Sequence, residues 1–179
     1  MKGLFLVVVG IAWATRAVIG LTDADFWNAS TLLDYASVWT YSLALLLIAP
    51  ALLILVRQAE SGRVATLVAW VVAAGAILAA VANGIEDGLG HKEWGAQYVL
   101  GAGIVGLGLI ALAVGMASGR RKIFALVPML TLAGLLAFSV GGGFVIAATW
   151  AALGFLVVTG RTKAPISNTS DWASGPQTA

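Results

Sequence analysis

The sequence predicts an all-α polytopic membrane protein: six transmembrane helices with the N- and C-termini cytoplasmic. Three observations carry that prediction. Apolar residues make up 60% of the 179-residue chain and charged residues 10%, whereas charge runs near a quarter in soluble domains. The apolar residues gather in six runs, each about 20 residues long and so able to cross a hydrocarbon layer about 30 Å thick. The charges then sort onto alternate connections. Lys2, Arg57, Arg63, Arg120, Arg121, Lys122, Arg161 and Lys163, eight of the ten basic residues, fall on one side. Asp23, Asp25, Asp34, Glu86, Asp87 and Glu93, six of the eight acidic ones, fall on the other. Short loops rich in Lys and Arg stay in the cytoplasm, which orients the chain.

Each run must be helical, because a spanning segment has to satisfy its own backbone N–H and C=O groups and the runs lack the period-two polarity of a barrel strand. The first span covers about residues 3–21, with Arg16 in its outer part. The second covers about 35–56 and contains Pro50, which membrane helices tolerate. Arg63 opens the third, about 63–85, and the fourth covers about 97–118. The fifth, about 123–140, has Pro128 in its first turns, and the sixth, about 141–159, begins in the run Gly141, Gly142, Gly143. The triple glycine leaves room only for a tight turn, so spans five and six form an antiparallel hairpin. Residues 1–163 thus form one transmembrane domain, and 164–179, APISNTSDWASGPQTA, form a disordered cytoplasmic tail.

Lys2, the apolar run after it and Ala12-Trp13-Ala14 resemble a signal peptide with its cleavage site. The apolar stretch resumes after Arg16, which a cleaved signal does not need, so the first span is expected to be retained. The absence of cysteine excludes thiol nucleophiles, disulfides, iron–sulfur clusters and Cys-ligated zinc. With His91 the only histidine, a haem held by two histidines of one protomer is excluded as well. No metal site or cofactor is expected. The basic residues flank spans, so they serve orientation and lipid headgroups, not nucleic acid.

Gly101, Gly108 and Gly115 recur every seven residues along the fourth span and make a groove in which another backbone approaches closely. That groove suits another helix of the bundle or, as the alternative, a second copy or a partner membrane subunit. Trp27 and Trp94 belong to the outer interface, and Trp13, Trp39, Trp70 and Trp150 to packing within spans.

Polar residues inside spans are costly, and functional candidates for that reason. Here they gather toward the outer ends of three helices. Arg16 cannot shed its charge, so it snorkels or pairs, with Glu86 or Asp34 the partners expected from depth and Asp23 and Asp25 looser ones. Asp34, Ser37 and Tyr41 follow i, i+3, i+7 spacing on one face of the second span. Asn83, Glu86 and Asp87 give the third span a polar face at its exit, among Gly84, Gly88 and Gly90, which allow the helix to unwind. The loop after it adds the titratable His91. The expected ligand-binding cup is therefore Arg16, Asp34, Tyr41, Asn83, Glu86, Asp87 and His91.

The function expected is a small bacterial-type cytoplasmic-membrane protein with an extracytoplasmic polar cup, serving transport or acting as a subunit. One alternative is a membrane enzyme doing acid–base chemistry on a lipid or isoprenoid, though no nucleophile or phosphate-binding motif accompanies the carboxylates. The other is a non-catalytic accessory or scaffold protein, which suits the sparse chemistry.

Overall fold

A computed structural model describes residues 1–22, 29–119 and 121–160. The expected tail, together with Asp23, Asp25, Trp27, Arg120, Arg161 and Lys163, lies outside the described residues. The described chain is all-helical. Its main helices are α1 (Lys2–Ile19), α2 (Leu32–Gln58), α3 (Arg63–Asn83), α4 (Gly95–Ala117), α5 (Leu126–Leu136) and α6 (Gly142–Val158). Lys2–Ile19, Leu32–Gln58, Arg63–Gly88 and Lys92–Ala117 are each long and apolar enough to cross a membrane, while Lys122–Leu136 and Gly142–Val158 are shorter apolar helices. That composition marks a membrane-embedded protein.

The helix ends depart from the sequence expectation for local reasons. Helix α2 starts earlier, at Leu32, because Thr31 and Asp34 form a capping box. It runs unbroken through Pro50. Helix α3 passes into a π-helical turn over Gly84–Gly88, so the glycine-rich acidic segment does change its winding. Where one span was expected over about 123–140, α5 is short and bounded by 3₁₀ turns at Lys122–Ala125 and Phe138–Val140. Gly141 then turns the chain with φ 95°, a conformation glycine adopts without strain.

The helices pack as a ring in chain order, each against the next, and α6 closes the ring on α1. Two seams are unusually close. In α4, a Cβ at Gly101 would lie 2.6 Å from the Ala79 backbone nitrogen and 2.8 Å from the Gly75 carbonyl, and one at Gly108 would strike Val72. The glycine groove of the fourth span is therefore filled by α3. The second seam joins α1 to α6. A Cβ at Gly10 would lie 2.8 Å from the Ala147 carbonyl, one at Gly154 2.7 Å from the Gly3 carbonyl, and one at Gly143 3.0 Å from Ala17. Gly3, Gly10 and Ala17 repeat the seven-residue spacing seen in α4, a signal the sequence carried at a second place. The α5–α6 hairpin closes the same way, with Gly134 and Gly142 facing each other so tightly that neither can carry a side chain.

The end of the bundle that holds Arg57, Arg63 and Arg121 is tied by an ion pair. Arg121 Nη2 lies 2.6 Å from Glu60 Oε1, and its Nη1 donates to the Gln58 carbonyl at 3.2 Å, clamping the α2–α3 connection to the start of the α5 segment. The opposite end holds Arg16 and the Gly84–Gly88 turn.

Candidate functional site: a cavity beside a buried arginine

Arg16 lies in the last turn of α1, where the negative end of the helix dipole favours a cation. It is only 4% exposed. Its guanidinium sits over aromatic faces: Cζ is 4.8 Å from the Phe138 ring centroid and 5.9 Å from that of Tyr41. Both distances allow cation–π attraction, which strengthens where water is excluded. Trp13, one turn earlier on the same face of α1, meets Tyr41 edge-on at 5.9 Å and Phe138 at 6.0 Å. Tyr41 and Phe138 are themselves 5.4 Å apart. Three elements thus assemble a box around the cation: α1, α2 and the α5–α6 turn.

Arg16 forms an ion pair with neither Glu86 nor Asp34, and Asp23 and Asp25 lie outside the described residues. Among the described residues the ion pairs are His91–Glu93, Lys92–Asp87 and Arg121–Glu60. Asp34 turns its carboxylate to its own helix start instead. Oδ2 accepts from the Thr31 N–H at 2.8 Å and from the Ser30 N–H and hydroxyl at 3.0 and 3.3 Å, while the Asp34 N–H donates to Thr31 Oγ1 at 3.2 Å. The Thr-x-x-Asp spacing at 31–34 is the sequence signal for this cap.

A cavity of about 350 Å³ opens beside the guanidinium, lined by Arg16, Ala17, Gly20 and Leu21 of α1 and its end, Ser37 of α2, and Phe138 to Gly141 and Gly143 of the hairpin. Two of its walls come from outside the expected cup: the Phe138–Ser139 turn and the glycines at the start of α6. Of the seven predicted residues, Arg16 alone lines it, with Tyr41 stacked behind.

Asn83, Glu86, Asp87 and His91 lie apart, where α3 passes through the π-helical turn toward α4. Asn83 Nδ2 donates to Ser42 Oγ at 2.9 Å and to the Val38 carbonyl at 3.4 Å, tying α3 to α2. Asp87 is buried and accepts from Lys92 Nζ at 2.7 Å. His91 Nδ1 and Glu93 Oε1 are 3.1 Å apart and both exposed. The Glu86 carboxylate rests against the start of α4, where a Cβ at Gly95 would lie 2.7 Å from Oε1. Trp39 lies over the π-helical turn, within 2.9 Å of a Cβ placed on Gly88 and 3.0 Å of one on Gly84, so those glycines make its seat. Among the described residues no three His, Asp or Glu side chains converge as metal ligands.

One contact links the two regions. The Tyr41 and Tyr98 hydroxyls lie 3.2 Å apart, joining α2 to α4 at the edge of a smaller apolar cavity of about 220 Å³. Tyr98 was not among the expected residues, and its position one turn into the fourth span gave no polar periodicity to find it by.

A guanidinium cannot act as a general base, and it presents up to five donors in a planar fork. Such a fork matches the geometry of carboxylate and phosphate groups. No protein-family model, curated protein or solved structure matches this chain.

Proposed function

We propose that this chain is a six-span protein of a bacterial-type cytoplasmic membrane, and that the Arg16 cavity is an extracytoplasmic cup for an anionic ligand, serving transport or a membrane complex. The single observation that carries the proposal is a nearly fully buried arginine lining an open cavity of about 350 Å³. Holding a charge at that depth is costly and is characteristic of ligand and ion pathways. The sidedness follows from the Lys- and Arg-rich connections at the opposite end.

Acid–base catalysis draws less support, because Glu86, Asp87 and His91 do not line this cavity. For assembly through α4, the edge left to a partner carries Gly103 and Gly106, where an added Cβ meets nothing within 4 Å, since Gly101 and Gly108 lie under α3.

Native mass spectrometry of protein gently extracted from its own membrane tests the cup. Wild type should retain an anionic molecule, Arg16→Lys should retain it in part, and Arg16→Leu should lose it. Asp87→Asn, in the π-helical turn apart from the cavity, should keep it. Retention by Arg16→Leu, or an equal loss in Asp87→Asn, would remove the cup from the account.

A further inference from the structure

We infer that the ligand of the Arg16 cavity is a phosphate ester, and specifically the headgroup phosphate of a membrane lipid seated over the short α5–α6 hairpin. The inference rests on the anionic cup proposed above and names its occupant.

The donors in the cavity suit a phosphate. The Arg16 guanidinium supplies the charge, Ser37 and Ser139 add hydroxyls to the lining, and the start of α6 contributes Gly141 and Gly143. The start of α6 also carries the positive end of its helix dipole, which favours phosphate oxygens. Gly141, Gly142 and Phe144 already give their N–H groups to the Phe138, Ala137 and Gly141 carbonyls. Of the three glycines Gly141 leaves room for an oxygen, a Cβ there meeting only Phe144 at 3.9 Å, whereas Gly142 faces the Gly134 carbonyl and Gly143 faces Ala17.

The walls of the mouth suit a lipid better than a soluble anion. Leu21 and Val140 line the cavity, yet they are 72% and 83% exposed. A free phosphate gains nothing from apolar rims, whereas acyl chains and a glycerol backbone do. Helix length supplies the second argument. Helix α6 has 17 residues, about 25 Å at 1.5 Å per residue, against a hydrocarbon layer about 30 Å thick. Its first turn packs against Ala17, level with the end of α1. Helix α2 continues past that level from Ser37 to Leu32, about 7 Å further. The bundle therefore has a low side at α1, α5 and α6, with the cavity set against the shoulder of α2. A bilayer meeting a short span thins locally, which brings headgroups down to the hairpin tip and to Arg16.

The test uses delipidated full-length protein in a non-ionic detergent, offered dioleoyl phosphatidylglycerol, dioleoylglycerol or inorganic phosphate, with bound ligand read by native mass spectrometry. Wild type should retain one phosphatidylglycerol, no dioleoylglycerol, and inorganic phosphate only at large excess. Arg16→Leu should weaken lipid retention by about tenfold or more, the scale of one lost charge-assisted hydrogen bond. Because Arg16 is buried, Ser139→Glu serves as the second variant: Ser139 is exposed at the cavity, so the fold is kept while a like charge repels the phosphate, again by about tenfold or more. Equal retention of dioleoylglycerol, or phosphatidylglycerol binding indifferent to Ser139→Glu, would overturn the inference. Tight binding of inorganic phosphate without lipid would overturn the lipid source. An Arg16-dependent anion that carries no phosphate would overturn the phosphate and leave the cup standing, and the absence of any Arg16-dependent anion would remove both.

Discussion

Asp34 and Arg16 lie near the same end of neighbouring helices, yet their contacts run in different directions. Asp34 gives its carboxylate to the backbone of Ser30 and Thr31, and Arg16 lays its guanidinium over Phe138 and Tyr41. Asp34 is thus a structural cap. Its replacement by Ala should cost about 1 kcal/mol of stability, measured by thermal unfolding in detergent, and leave ligand retention unchanged. Loss of the ligand at unchanged stability would return Asp34 to the site. Placement near one end of the bundle was legible in the sequence for both residues, because position along an apolar run fixes level along the helix. Azimuth was not. Which neighbour a side chain faces depends on how the helices rotate against one another, and no run of residues in α1 announces that Phe138, 122 positions later, will close over Arg16.

At the scale of the helix, small residues decide the packing. Without water to drive helices together in lipid, close backbone approach and van der Waals contact carry association. The α3–α4 seam was readable from Gly101, Gly108 and Gly115, and the hairpin from Gly141 to Gly143. The α1–α6 seam carried the same spacing at Gly3, Gly10 and Ala17, diluted there by large aliphatic neighbours. The α5 boundaries were not readable, since Leu136 to Val140 continue an apolar run that the 3₁₀ turn ends for tertiary reasons. Gly101→Leu and Gly10→Leu should each destabilise the bundle by about 1–3 kcal/mol or more, as overpacking does. Gly103→Leu, with open space around it, should stay within about 0.5 kcal/mol of wild type. Unfolding in mixed detergent and dodecyl sulfate would separate them, and equal effects at Gly101 and Gly103 would contradict the seam.

The whole molecule joins these features into a ring with two unlike ends. One end is basic and clamped by Arg121 and Glu60. The other is stepped: α2, α3 and α4 carry the Trp39-covered π-helical turn and the Asp87–Lys92 pair, while α1, α5 and α6 leave a cavity at Arg16. The six apolar runs all fold as helices, as their composition required, and four of them are long enough to cross a membrane by themselves. Of the residues expected to form a cup, Arg16 lines a cavity, and Glu86, Asp87 and His91 lie apart from it. Everything proposed for that cavity depends on its opening outside the cell. The chain contains no cysteine, so a single introduced thiol reports its own side without background. Ser139→Cys at the cavity and Gly62→Cys in the α2–α3 connection are both exposed positions. In intact cells a membrane-impermeant maleimide should label Ser139→Cys at once and Gly62→Cys only after permeabilisation. Labelling in the reverse order, or of both positions from the same side, would contradict the account.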